Sequence, residues 1–166
     1  EASFQLAHSY ATARVQGQPL GGGSIIRHPD VKRMLMTMKS KIEAMRALAY
    51  VCAFEYDLTD RHQNEDQRSL SGRRGDLLTP IVKGWCTEVA QEITSLGVQV
   101  HGGMGFIEET GAAQYQRDAR ITTIYEGTTG IQAGDLVGRK TLRDGGRGME
   151  ELISDMQGTV AGLNES

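Results

Sequence analysis

Cysteine, proline and aromatic residues are all scarce in this chain of 166 residues, and each scarcity closes off a class of protein. Two cysteines, Cys52 and Cys86, both inside helical patterns, cannot build a disulfide framework, so a reducing, cytoplasmic setting is expected. With three prolines and only 5% aromatic residues, the apolar positions fall to Leu, Ile, Val, Ala and seven Met, a composition suited to helices. No hydrophobic run approaches membrane-spanning length, and no signal peptide is visible. Charge of neither sign dominates. A net charge of -3 and a pI near 5.8 give no field that would draw nucleic acid or an anionic membrane. His8, His28, His62 and His101 are dispersed, without a Cys-x-x-Cys or His-x-x-x-His pair, so no metal site is expected. The serines lack a nucleophile-elbow pattern, and no run alternates with period two.

What the chain does have is helical periodicity punctuated by glycine. The 21 glycines gather at 21–23, 102–105, 127–130 and 145–148, where they end helices. A first helix is expected over 2–16, with Phe4, Ala7, Tyr10 and Ala11 on one face and Gly17 after it. A loop, "GQPLGGGSIIR", leads to His28-Pro29-Asp30, where proline suits a first helical turn. Apolar residues from Val31 to Tyr56 then recur at three and four, which predicts one long helix to about residue 58. The polar run "TDRHQNEDQRSLSGRRG" reads as a solvated connector, and a third helix spans 77–100. A loop at 101–111, a short helix at 112–117, another over "IQAGDLVGRKTL" and a last one from Met149 complete the chain. The expected fold is all-α, an antiparallel helical bundle. Because helical pattern starts at once from Glu1, the chain reads as part of a larger protein.

Three features can carry chemistry. In "QVHGGMGF", residues 99–106, Gly102, Gly103 and Gly105 let another surface approach the backbone, which suits a phosphate-bearing ligand; equally, they end a helix. The block follows a helix and not a strand, which excludes a doubly wound dinucleotide fingerprint. Arg14 is either a solvated end-of-helix arginine or a guanidinium fork for phosphate. Arg117-Asp118 reads as a local ion pair or cap. Glu126, in "RDARITTIYEGTTGIQ", follows Ile121, Ile124 and Tyr125 and precedes a glycine-threonine turn. Either it merely precedes a helix capped by Thr128 or Thr129, or its apolar neighbours desolvate it, raise its pKa and make it a general base.

Taken together, "YATARVQG", "QVHGGMGF" and "RDARITTIYEGTTGIQ" resemble the C-terminal helical domain of acyl-CoA dehydrogenases, in order and over nearly the whole chain. The run from "LLTPIVKGWCTEVAQ" on, with "LVGRKTLRDGG", resembles a bacterial branch of 3-methylmercaptopropionyl-CoA dehydrogenases and long acyl-CoA dehydrogenases. The resemblance implies FAD-dependent α,β-desaturation of an acyl-CoA thioester, with electrons passed to electron-transfer flavoprotein. Glu126 matches the base that takes the α-proton while hydride leaves the β-carbon for the flavin. Thr128 matches a flavin contact, with Gln132 a weaker one. Arg14, Gln99, Gly102 and Gly103 match contacts to the pyrophosphate and adenosine part, and Tyr125 and Gly127 lie beside the substrate. Such contacts often reach a cofactor held by a neighbouring subunit, which implies a homodimer or higher homo-oligomer.

The sequence departs from the family pattern at Gln16 and His101, where aromatics are common, and at Gly130, where a polar side chain is common. These departures bear on the adenosine side more than on the base. The resemblance divides the chain into a bundle at 1–146 and the truncated start of a helical extension at 147–166. A helical interaction module without catalysis and an acyl-CoA oxidase are the alternative readings, and the chain by itself is expected to be inactive.

Overall fold

The computed structural model describes residues 1–18 and 21–164; Pro19 and Leu20 of the expected first loop, and the last two residues of the expected extension, lie outside the described residues. All regular structure among the described residues is helical, and the expected all-α antiparallel bundle forms. The main helices are α1 (Ala2–Ala13), α2 (Pro29–Arg61), α3 (Glu65–His101), α4 (Gly103–Phe106), α5 (Ala112–Thr122), α6 (Thr129–Gly134) and α7 (Arg147–Asn164). Helix α2 begins on Pro29, whose fixed φ and missing N–H cost nothing in a first turn.

The chain divides into two compact units, and α2 and α3 each contribute a half to both. The first unit comprises Glu1–Arg46 and Cys86–Glu126. Its core joins Ala7 and Ala11 of α1 to Met34, Leu35, Met38 and Ile42 of α2 and to Val89, Ile93 and Val100 of α3. Alanine on α1 and Gly97 on α3 permit this approach, since a Cβ at Gly97 would overlap the Ser3 hydroxyl. An ion pair between Lys41 and Glu92 records the antiparallel course of α2 and α3. Helix α1 stops at Ala13, earlier than the expected residue 16. Arg14 turns extended, its N–H still donating to the Tyr10 carbonyl (2.8 Å), while its own carbonyl accepts from Ile25 N–H (2.8 Å). That bond holds the short 3₁₀ turn Ile25–Arg27 against α1 and buries Ile25.

The second unit comprises Ala47–Trp85 and Gly127–Ser166. Here the expected connector at 59–75 is overturned, because only residues 62–64 break the helix. Asn64 caps α3 by accepting the Gln67 N–H (3.0 Å), and Glu65 and Asp66 stand in the positive first turn. This half of α3 lacks an apolar stripe because much of its attachment is polar. Arg73 forks onto Glu151 of α7 (2.8 and 3.1 Å), and Arg74 pairs with Asp155 and lies 3.8 Å from the buried Glu55. Ser71 and Gly75 are buried, and the ring of Tyr56 fills the place of a Gly75 side chain. Cys52 meets Thr79 (3.8 Å), Tyr56 covers Gly75 and Thr59 meets Gly72, a pairing that again sets α2 antiparallel to α3.

Two other segments differ from the sequence expectation. Helix α5 runs on to Thr122, five residues beyond the expected 117. The single helix expected over "IQAGDLVGRKTL" is α6 followed by a π-helical segment, Asp135–Thr141, and a 3₁₀ turn, Leu142–Asp144. A Cβ at Gly134 or Gly138 would meet nothing within 4 Å, so neither glycine is required there for space. Asp144 caps α7 with both carboxylate oxygens, accepting from Gly146 N–H and Gly148 N–H (3.0 Å each).

Candidate active site

The joint between α5 and α6 is built from two successive residues in left-handed conformation. Helix α5 closes with Ile124 and Tyr125 N–H donating to the Ile121 carbonyl (3.0 and 3.1 Å). Glu126 follows at φ 55°, alone among the described non-glycine residues in having positive φ, and Gly127 follows at φ 94°. Thr128 then returns to extended backbone, and its hydroxyl accepts the Ile131 N–H (3.3 Å) as the cap of α6. Of the two threonines considered, Thr128 therefore makes the cap. Gln132 packs its amide beside Gly127, where a Cβ would come within 2.7 Å of it; that flexible amide could move aside, so it is the positive φ that favours glycine there.

The side chains around this turn face outward. Glu126 is exposed, and Ile121, Ile124 and Tyr125 before it are each about half exposed (52%, 47% and 50%). The apolar approach to the acid is thus present as a surface, and the described residues do not enclose the carboxylate.

A second cluster forms where α1 and α3 end together. Tyr10 and the buried His101 stack with ring centroids 4.4 Å apart, and His101 donates Nδ1–H to the Gly97 carbonyl (2.7 Å). His101 thereby packs its ring against α1. This contact sets Arg14, one turn past Tyr10, at the same end of the first unit as Gln99, Gly102 and Gly103. All four are exposed. The guanidinium of Arg14 makes no hydrogen bond or ion pair with any described residue. The glycines of the block have separate reasons. Gly102 needs its positive φ of 60°, and Gly105 is buried where a Cβ would overlap the Val98 carbonyl. A Cβ on Gly102 or Gly103 would meet nothing within 4 Å, so another surface can approach both, although Gly102 already donates its N–H to the Gln99 carbonyl (3.0 Å) and accepts from Gly105 N–H (2.9 Å). The structure thus places Arg14, Gln99, Gly102 and Gly103 at one end of the first unit, while Tyr125, Glu126, Gly127 and Thr128 follow one another in the α5–α6 turn.

Sequence reasoning passed over one surface of the first unit. A groove of about 690 Å³ runs between α3 and α5, walled by Phe106, Ile107, Gln116, Arg117 and Arg120. Phe106, 83% exposed, stood in the quoted glycine block and was its available signal. Arg117, expected to pair with Asp118, instead reaches Gln114 (2.6 Å) and Glu108 (3.4 Å), and Gln114 takes Asp118. Among the described residues no group of three His, Cys, Asp or Glu is placed to hold a metal, and no helix is long and apolar enough to cross a membrane.

The chain is thus an all-α domain that presents one carboxylate from a strained interhelical turn, with a glycine edge elsewhere on its surface. The family model for the acyl-CoA dehydrogenase C-terminal domain matches residues 1–141. The chain belongs to the acyl-CoA dehydrogenase family. It is 51% identical to the 3-methylmercaptopropionyl-CoA dehydrogenase of Ruegeria pomeroyi, over 97% of this chain and 29% of that protein. Among solved structures it resembles the butyryl-CoA dehydrogenase of Megasphaera elsdenii, with a TM-score of 0.67 and 32% identity over 82% of this chain and 31% of the other. It also resembles Caenorhabditis elegans ACDH-11 in complex with C11-CoA, with a TM-score of 0.75 and 26% identity over 99% and 27%. The chain therefore spans less than a third of the length of each of these relatives.

Proposed function

We propose that this chain is the C-terminal helical domain of an FAD-dependent acyl-CoA dehydrogenase, with Glu126 as the base that removes the α-proton of the acyl thioester. The observation that carries the reading is the backbone at Glu126. A glutamate at φ 55° is held against its own preference, and such strain persists where surrounding structure and function require the side chain there. An α-proton beside a thioester is only weakly acidic, so its base must be close, oriented and shielded from water. The turn supplies orientation, and Ile121, Ile124 and Tyr125 supply an apolar surface that a bound thioester would cover, with Tyr125 and Gly127 beside the substrate.

The residues present fit FAD. The absence of a side chain at Gly102 and Gly103, exposed Gln99 and the unpaired Arg14 guanidinium suit the pyrophosphate and adenosine part. Thr128 already accepts one hydrogen bond from Ile131, which leaves its O–H free to donate to a flavin acceptor. When bound, FAD supplies the two-electron acceptor that the desaturation needs. In this reading electron-transfer flavoprotein reoxidises the enzyme, and a homodimer or higher homo-oligomer completes the cofactor site. In this reading residues 1–146 are the family domain and 147–166 belong to a helical extension; the family match covers residues 1–141.

The test is Glu126→Gln in the complete enzyme. Desaturation should fall by about 10²–10⁴-fold, the usual weight of a positioned base, while flavin absorbance stays intact. Activity within a few-fold of the parent would remove Glu126 from the role. Comparing electron-transfer flavoprotein with oxygen as acceptor separates a dehydrogenase from an oxidase.

A further inference from the structure

The second unit carries a charged cavity that the desaturation does not use. It measures about 150 Å³ and is lined by Arg73 and Asp76 of α3, Arg139 and Lys140 of the π-helical segment, and Arg143 and Asp144 of the turn that follows. That is well below the roughly 300–1,000 Å³ of pockets that take whole organic ligands, so its natural occupant is a single ionic group. Irregular π turns recur at functional sites, and here the irregular stretch sets Arg139, Lys140 and Arg143 along one cavity wall.

Its hydrogen-bonding account favours an anion. Both lining carboxylates are already engaged. Asp76 takes Lys140 (3.1 Å) and the Tyr56 hydroxyl (3.3 Å), and Asp144 accepts two backbone N–H groups at the start of α7. Arg73 is held by Glu151, which Arg147 shares, and Arg139 pairs with Asp135 (3.1 Å). In and around the cavity five cations, Arg73, Arg139, Lys140, Arg143 and Arg147, meet four carboxylates, Asp76, Asp135, Asp144 and Glu151. An excess positive charge remains. Arg143 has no acceptor among the described residues, Arg139 uses one nitrogen and Lys140 one ion pair. A guanidinium offers five N–H donors and an ammonium three, so donors outnumber acceptors at this site. The side chain of Lys140 is only 17% exposed, which weakens solvent screening of its charge.

We propose that this pocket binds a phosphate group, with Arg143 and Arg139 forking its oxygens and Lys140 adding a point charge. Planar guanidinium pairs match phosphate geometry, and several such donors around one small cavity select a compact polyanion over a carboxylate. The phosphate can be free, or it can be the 3′-phosphate of coenzyme A; the second source rests on the dehydrogenase reading above, whereas the first does not.

The test is calorimetric titration of the 166-residue chain with sodium phosphate at constant ionic strength. Saturable binding is expected, and Arg143→Gln should weaken it about tenfold, the loss of one charge-assisted hydrogen bond. Lys140→Gln should weaken it too, while Arg33→Gln, whose arginine lies on the other unit, should leave it unchanged. Coenzyme A and dephospho-coenzyme A form a second arm. Preference for coenzyme A that disappears in Arg143→Gln assigns the coenzyme as the source, and equal binding of the two beside saturable phosphate assigns free phosphate. The proposal is overturned if phosphate does not saturate, or if Arg33→Gln weakens it as much as Arg143→Gln. A failure there leaves the Glu126 reading standing on its own test.

Discussion

Glu126 occupies a backbone conformation in which Cβ crowds the following carbonyl, a cost of about 1–2 kcal/mol for a residue with a side chain. Glycine has no such cost, which gives a test of the turn independent of catalysis. Glu126→Gly should be more stable than Glu126→Ala by about 1 kcal/mol, read from urea midpoints at unchanged slope. Both variants lack the carboxylate, so whatever that group touches cancels between them. An alanine variant as stable as the glycine one would mean the backbone is not held left-handed. Selection for stability alone would favour glycine here, as at Gly127. In the reading proposed above the acid stands there for what its carboxylate does, which is the sense in which residue-scale strain points to function. This strain could not be read from the sequence. "YEGT" shows an acid beside a glycine, but left-handed φ at the acid follows only once α5 has ended and Thr128 has begun α6. At His101, read in the sequence only as a departure from a common aromatic, the structure adds a ring contact with Tyr10 that no spacing could show.

Among elements, the first half of α3 shows where periodicity stops being informative. Val31 to Tyr56 and Leu77 to Val100 were legible because apolar side chains at three and four are what bury those helices. Residues 65–75 have no such stripe, because their tertiary bonds run through Arg73, Arg74 and the small residues Ser71 and Gly75. Charge that looks solvated in a sequence is here the means by which α7 is held. Glu151 shows this in its acidity. The hydrogen bonds from Arg73 hold its carboxyl below the ordinary 4.5, with Arg147 adding to them, and the same contact raises Arg73. A carboxyl lowered in the folded state contributes stability above its unfolded value, and that contribution is lost as pH falls through the folded value. Glu151→Gln should therefore cost about 1–2 kcal/mol at neutral pH, the range for a fork-bonded pair that is still partly solvated. The difference from the parent should shrink as acid drops below the ordinary carboxylate value and vanish once the folded carboxyl is protonated. Thermal melts of both proteins across that range measure it, and a difference independent of pH would show that the charge of Glu151 is not what binds α7.

For the molecule as a whole, the question is what this chain can accomplish with the surfaces it has. Every proposed site residue whose side chain would meet FAD or substrate directly, from Arg14 and Gln99 to Tyr125, Glu126 and Thr128, is exposed. An exposed carboxylate remains hydrated, and hydration blunts both its basicity toward a carbon acid and its orientation. Proton abstraction beside a thioester needs a walled site, and this chain covers less than a third of each of the relatives named above. The folded 166-residue chain, supplied with FAD, an acyl-CoA and an artificial electron acceptor, should therefore reduce the acceptor no faster than the same mixture without protein. The complete enzyme under the same conditions should turn over, and should lose that turnover on Glu126→Gln. Dye bleaching above the blank by the chain alone would show that one helical domain can bind the flavin and dry the thioester by itself, and would move the walls of the site onto the exposed residues named here. Silence from the chain beside an active parent would instead fix the division of labour: this domain supplies the base on its strained turn, and the rest of the enzyme supplies the enclosure that makes the base work.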